Sequence, residues 1–64
     1  MDIHSNHAPP PGTPVEVFNR FSASWISGFE VATTFADGCE VRRRSDETVL
    51  PKTFHVDDLR VEHR

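Results

Sequence analysis

The sequence predicts a small all-β domain in which five short strands close into a barrel. From Val15 onward, apolar and polar residues alternate with the period of two that is typical of half-buried strands. No stretch of the chain carries the apolar spacing of an amphipathic helix. A chain of 64 residues is also too short for two packed sheets of useful size. A single barrel-like sheet is therefore the expected architecture.

The first two strands follow from this alternation. Pro14–Phe21 is predicted as the first strand, with Val15 and Val17 on its inward face and Phe18 on the other. Trp25–Phe35 is predicted as the second, because it is rich in β-branched and aromatic residues. Gly28 lies where a β-bulge would let this long strand bend.

The second half of the domain is organised by turn residues. Asp37-Gly38 is a strong hairpin signal, and Cys39–Arg44 follows it as the third strand. Thr48–Phe54 is the predicted fourth strand. Its Pro51 cannot donate a backbone hydrogen bond, which indicates an edge strand or a bulge.

The chain ends with a short turn and a last strand. His55–Leu59 is predicted as one turn of 3₁₀ helix, because Asp57 and Asp58 suit a first turn and nothing continues it. Arg60–His63 is the expected fifth strand. This order of hairpins, 3₁₀ turn and final strand is that of an SH3-like barrel, a fold that protects its strand edges by closing on itself.

The chain divides at Pro14 into a tail and a domain. Residues 1–13 contain few apolar side chains and three consecutive prolines, Pro9–Pro11, followed by Gly12. Such a segment buries too little surface to offset its ordering entropy, so a disordered tail with polyproline character is predicted. A ligand for an aromatic-lined groove on another protein is the alternative. Residues 14–64 form the predicted barrel.

Composition narrows the functional classes. The net charge of −3 argues against a generic polyanion binder, and no segment has the pattern of a membrane span or a signal peptide. The single cysteine, Cys39, has no partner for an internal disulfide. We therefore expect a cytoplasmic monomer that has no cofactor, small-molecule substrate or membrane partner.

The segment from Val15 to Arg60 carries four recognisable stretches: V-E-V, W-x-x-G-F-E-V, V-L-P-x-x-F and D-D-L-R. It resembles the Tudor and Agenet type of SH3-like barrel, and it is similar to short uncharacterised actinobacterial proteins with the same framework. The resemblance implies a binding fold. In that group the best-understood activity is the capture of methylated Lys or Arg by cation–π attraction within an aromatic cage.

The cage pattern is incomplete in this sequence. Trp25 falls at a position that resembles a cage residue, and Phe18 and Phe21 are expected near it. The third strand and its following turn carry Arg42 and Arg44 where further rings would be needed, and the chain has no tyrosine. These arginines would repel a cationic ligand, so methyl-lysine binding is not expected.

Aromatic residues beside arginines instead predict a protein-binding face. Trp25, Phe21 and Phe18, with Arg42 and Arg44, have the composition of an interface hot spot. The alternative for Trp25 is a half-buried residue that caps the core under a loop.

A nucleic-acid-binding accessory module is the alternative function. Strand alternation directs Arg42 and Arg44 to one face, and Lys52 on the next strand is expected to join them. Three cations on one face suffice for weak, salt-sensitive phosphate contact. The competing interpretation is a ladder of ion pairs with the nearby acids Glu30, Glu40, Asp46 and Glu47.

No pattern indicates an enzyme. Cys39 is expected to be buried at a strand start with no histidine base marked nearby. Asp57 and Asp58 are adjacent, which directs them apart. His4 and His7 lie in the predicted tail without further ligands, so no metal site is predicted.

Overall fold

The computed structural model describes residues 8–62 as one five-stranded antiparallel sheet. Its elements are β1 (Pro14–Asn19), β2 (Ser24–Thr34), β3 (Gly38–Arg43), β4 (Val49–His55), a 3₁₀ turn (Val56–Asp58) and β5 (Leu59–Val61). The order across the sheet is β4-β3-β2-β1-β5. The all-β prediction and the 3₁₀ turn before the last strand are confirmed. Within residues 8–62, β4 and β5 are the two edges, so closure into a barrel stays a prediction.

Every strand differs from the sequence prediction by one or two residues at one or both ends, and the differences of two residues are at the ends of β1 and β5. β1 ends at Asn19 rather than Phe21, because the Asn19 side-chain oxygen accepts the N–H groups of Phe21 (2.8 Å) and Ser22 (3.3 Å). This local turn replaces the strand ladder. β5 spans Leu59–Val61, and the predicted last residue of that strand, His63, lies outside the described residues. The described part contains no helix with the length and apolar character that a bilayer crossing requires.

Gly28 forms the predicted bulge in β2. Val15 pairs with Phe29 and Val17 pairs with Ile26, so two residues of β2 lie opposite one residue of β1. Gly28 has φ +99°, a left-handed conformation that glycine adopts without steric cost. The extra residue shifts the side-chain alternation, and Ile26 and Phe29 consequently share the inward face with the valines.

The core lies on one face of the sheet. Alternation directs Val15 and Val17 of β1 and Cys39 of β3 inward, as predicted, and Val41 of β3 lies on the same face. Burying one such side chain contributes roughly 1.5–3 kcal/mol. The buried set consists of Val15, Val17, Val31, Cys39, Val41, Phe54 and Leu59.

Residues 8–13 differ from the predicted disordered tail. The Gly12 N–H donates to the Val31 carbonyl (2.8 Å), and the Val31 N–H donates to the Thr13 carbonyl (2.9 Å). Ala8 packs against the core. Gly12 has φ +91°, which turns the chain back towards β2. Ordered contacts therefore reach back at least to Ala8, whereas the first seven residues of the predicted tail lie outside the described residues.

The carbonyl group of Pro9 provides a second contact that holds residues 8–13 against the sheet. The Thr34 hydroxyl donates to it at 2.6 Å, and the Cys39 thiol lies 3.9 Å from the same oxygen. Proline has no N–H to satisfy, so a proline run can lie against a sheet through its carbonyl groups alone. The segment thus covers the end of β2 and the start of β3.

Candidate functional site

Phe18 and Trp25 form an aromatic pair on the outer face of the sheet. They are direct cross-strand neighbours on β1 and β2, with ring centroids 5.3 Å apart and an interplanar angle of 62°. The Arg60 guanidinium carbon lies 4.4 Å from the Trp25 ring centroid, and Glu16 accepts a hydrogen bond from Arg60. One face of the Trp25 ring, which could otherwise receive a cationic ligand, is therefore covered by an arginine of the chain itself.

Arg42 and Arg44 also lie on the outer face, but both are paired with carboxylates. Arg42 donates to Glu30 at 2.7 Å, and Arg44 donates to Glu62 at 3.0 and 3.2 Å. The Arg42–Glu30 pair is the cross-strand ladder that the sequence offered as an alternative. The Glu62 pair was not anticipated from the sequence. Such pairing neutralises much of the positive charge that phosphate binding would use.

Arg43 and Asp46 close the turn between β3 and β4. Arg43 donates to both carboxylate oxygens of Asp46, at 3.1 and 3.0 Å, and the Thr48 N–H donates to one of them at 3.1 Å. The hydrogen bonds from Arg43 and Thr48 lower the pKa of Asp46 to about 2. The hydrogen bond and charge of Asp46 raise the pKa of Arg43. This pair stabilises the turn between β3 and β4 and lies apart from the predicted binding face.

Lys52 lies apart from the two arginines. On β4 it shares its side with Leu50 and Phe54, both of which pack in or against the core. Its ammonium nitrogen lies 4.7 Å from the Phe54 ring centroid. The expectation that Lys52 joins Arg42 and Arg44 is therefore wrong, because the strand alternation directs it towards the opposite face.

The inward face is open at one end, where it forms a groove of about 440 Å³. We call this the open groove. Its apolar wall consists of Val17, Ile26, Phe29, Leu50 and Phe54, and its polar rim of Arg20, Lys52 and Asp58. Ile26 remains 39% exposed, although it lies on the core side of β2. Residues 8–62 thus leave apolar surface uncovered beside the core.

Phe21 lies at the mouth of the open groove and is fully exposed, with a relative accessibility of 103%. The turn that follows β1 holds it there through the hydrogen bond from its N–H to Asn19. Arg20, its neighbour, donates to Asp58 at 3.0 and 3.3 Å across the rim. Together with the apolar wall, an exposed aromatic side chain at this place adds to the kind of contiguous apolar surface that marks interaction sites.

The structure separates the predicted binding residues into two groups. Trp25, Arg42 and Arg44 lie on the outer face, each with an intramolecular partner. Phe21 and Lys52 lie at the open groove. The remaining candidate, Phe18, packs on Trp25 and also lines the groove.

The apolar wall was missed from the sequence. Ile26 and Phe29 are three positions apart, and a strand of uninterrupted alternation would direct them to opposite faces. The bulge at Gly28 brings them to the same face. The signal for this was present in the predicted bulge, since one inserted residue reverses the alternation beyond it.

The cysteine and the histidine among the described residues have structural roles. Burial raises the pKa of the Cys39 thiol, and a hydrogen bond with Thr34 partly opposes that shift. The His55 Nδ1 accepts the Asp57 N–H at 3.1 Å and so caps the 3₁₀ turn. Residues 8–62 contain no cluster of three metal-ligating side chains. His4 and His7 lie outside the described residues.

Comparisons with protein-family models, with curated proteins and with solved structures give no significant match. The resemblance to the Tudor and Agenet group therefore stays a prediction, and the geometry of the chain itself carries the functional inference.

Proposed function

We propose that this chain is a non-catalytic protein-interaction module that binds a partner protein in the open groove. The observation that carries the proposal is Phe21, which is fully exposed beside an apolar groove of about 440 Å³. Exposed aromatic side chains next to apolar pockets are typical of interface hot spots.

The proposal includes an SH3-like barrel of the Tudor or Agenet type as the scaffold. Its support is the meander of β1 to β4, the bend of β2 at Gly28, and the 3₁₀ turn that leads into β5 beside β1. In this arrangement the open groove is the mouth of the barrel. We further propose a monomer that acts in the cytoplasm, since the only cysteine of the chain is a buried free thiol.

The groove is preferred over the outer face for a physical reason. Trp25 already packs on Phe18 and Arg60, and Arg42 and Arg44 already pair with carboxylates. A partner at the outer face would have to displace these contacts before making its own. At the groove it covers surface that the described chain leaves to water, so the apolar burial contributes directly to affinity.

The alternative of nucleic-acid binding has no specific observation in its favour. Its cations, Arg42, Arg44 and Lys52, lie on two faces, and the two arginines are paired. It remains a prediction with a clear signature: binding that falls steeply with salt and is abolished by charge reversal at Arg44.

The test is an unbiased peptide selection on the immobilised full chain, compared with the variant Phe21→Ser. Phe21 is fully exposed, so its replacement leaves the fold intact. Selected peptides are expected to bind Phe21→Ser about ten-fold more weakly than the parent chain, as for the loss of one hot-spot aromatic residue.

Phe35→Ser is the matched control. Phe35 is also an exposed phenylalanine, at 44%, but it lies at the β2–β3 turn and does not line the groove. Peptides are expected to bind this variant as they bind the parent chain. Equal binding to all three proteins, or no enriched peptide at all, would show that the groove is not a protein-binding site.

A further inference from the structure

Every arginine in residues 8–62 forms an ion pair with a carboxylate of the same chain. The pairs are Arg20–Asp58, Arg42–Glu30, Arg43–Asp46, Arg44–Glu62 and Arg60–Glu16. Among the lysine and arginine residues of this described part, only Lys52 has no carboxylate partner within residues 8–62. The unpaired cation lies on the rim of the open groove.

Lys52 is placed to act together with the apolar wall. Its ammonium nitrogen lies 4.7 Å from the ring centroid of Phe54, which lines the groove. An apolar side chain seated against Phe54 would therefore bring the neighbouring residue of its own chain within reach of Lys52. Asp58, the carboxylate on the same rim, is engaged by Arg20 at 3.0 and 3.3 Å.

We infer that the partner segment combines an apolar side chain, which enters the groove, with an adjacent Asp or Glu, which pairs with Lys52. This inference rests on the proposed function and specifies the chemistry of its ligand. The apolar side chain provides burial, and the carboxylate provides the charge partner that Lys52 lacks among residues 8–62.

Because the chain has a net negative charge, a preference for acidic peptides would point to a local cation at the binding site. At −3, long-range electrostatics favours basic peptides and disfavours acidic ones. Enrichment of acidic residues therefore requires a local cation at the binding site. Because Lys52 is exposed and its interaction is screened by salt, the carboxylate is expected to contribute about five-fold in affinity at low salt.

The experiment is a selection from a random peptide library in which both peptide ends are joined to the carrier, so that no terminal carboxylate is present. The full chain is compared with Lys52→Gln, Lys52→Glu and the matched control Arg43→Gln, which removes an exposed, already paired cation outside the groove. Affinities of individual selected peptides, capped at both ends, are then measured at two salt concentrations.

The parent chain and Arg43→Gln are expected to enrich Asp or Glu next to an apolar residue. Lys52→Gln should lose this preference and bind the selected peptides about five-fold more weakly, and Lys52→Glu should enrich Lys or Arg instead. Retention of the acidic preference in Lys52→Gln would overturn the inference.

The remaining outcomes separate the inference from the proposed function. Apolar peptides that depend on Phe21 but carry no acidic preference would overturn the inference and leave the groove as a protein-binding site. A concentration-dependent dimer that Phe21→Ser dissociates would identify a second copy as the occupant and overturn it as well. If no selected peptide depends on Phe21, the proposed function itself fails.

Discussion

The two halves of β2 belong to the same strand and contribute to the same inward face, yet their surroundings differ. In the second half (Glu30–Thr34), Val31 is fully buried and the backbone of residues 9–13 lies against it. In the first half (Ser24–Phe29), Ile26 remains 39% exposed at the open groove. The difference is whether the Pro-rich segment covers the strand.

This difference separates the residues that stabilise the fold from those available for binding. Replacements in the covered half remove contacts within the chain, so their cost appears in the free energy of unfolding. Replacements of the exposed groove side chains Phe21 and Lys52 remove contacts that the proposed partner would make, so their cost is expected in affinity. Substitutions on the two sides of this divide test that separation.

Gly38→Ala, at the start of β3 where the Pro-rich segment covers the sheet, is expected to destabilise the fold by about 2–3 kcal/mol. A Cβ at this position would lie 2.4 Å from the carbonyl oxygen of Phe54, a backbone atom that moves only if the pairing of β3 with β4 shifts. The measurement is chemical denaturation followed by tryptophan fluorescence, with the free energy of unfolding compared between variant and parent.

Gly28→Ala is the matched glycine variant near the groove. A Cβ there would meet nothing within 4 Å, so the only cost is the left-handed backbone at φ +99°, about 1–2 kcal/mol. A larger loss of stability for Gly28→Ala than for Gly38→Ala would show that close packing between β3 and β4 is not the stronger constraint.

Thr34→Val is expected to lower stability by about 1 kcal/mol, because the hydroxyl group that donates to the Pro9 carbonyl at 2.6 Å is lost at nearly constant volume. The same change should accelerate the reaction of Cys39 with a thiol reagent, because the buried thiol reacts only when the segment over it opens, and that opening becomes more frequent. Denaturation and the rate of thiol modification provide the two measurements.

Thr33→Val is the control for this prediction. Thr33 is exposed and pairs with Glu40, on the side of β2 away from Pro9. Its replacement is expected to change neither quantity appreciably. If Thr33→Val and Thr34→Val give the same thiol reactivity, the Pro-rich segment does not protect Cys39.

Local sequence signals predicted the fold class, but they did not predict that residues 9–13 lie against β2. The alternation at Val15 and Val17, the Asp37-Gly38 turn and the Gly28 bulge are each decided by neighbouring residues, and the structure retains all of them. Residues 9–13 contain little apolar side chain to bury. They are held by backbone groups that bond to a strand distant in sequence, which composition does not reveal.

The candidate site was predictable only in part, for a related reason. Phe21 and Lys52 were identified by residue type, and both lie at the groove. Arg42 and Arg44 were identified by the same criterion, but both form ion pairs with carboxylates of the chain, which residue type alone does not reveal. The pairing of Arg44 with Glu62 joins residues far apart in sequence, and no local pattern marks it.

The smallest predicted effect concerns the Arg43–Asp46 pair, which contrasts a paired cation with the unpaired Lys52. The folded-state pKa of Asp46, about 2, lies below its ordinary value of 3.8. The stabilisation from this pair is therefore fully present above pH 3.8 and is lost as the pH falls towards 2. NMR titration of the Asp46 carboxyl carbon should give a midpoint near 2.

Arg43→Gln should raise that midpoint, because its hydrogen bonds are the largest cause of the lowered pKa. The midpoint should remain below 3.8, since the Thr48 N–H still donates to the carboxylate. The variant should also bind selected peptides as the parent chain does, because the cation that it removes is already satisfied within the turn. An unchanged midpoint would mean that Arg43 does not hold Asp46 in solution. Arg43 would then be a second cation free to attract carboxylates, and the assignment of the acidic preference to Lys52 alone would no longer follow.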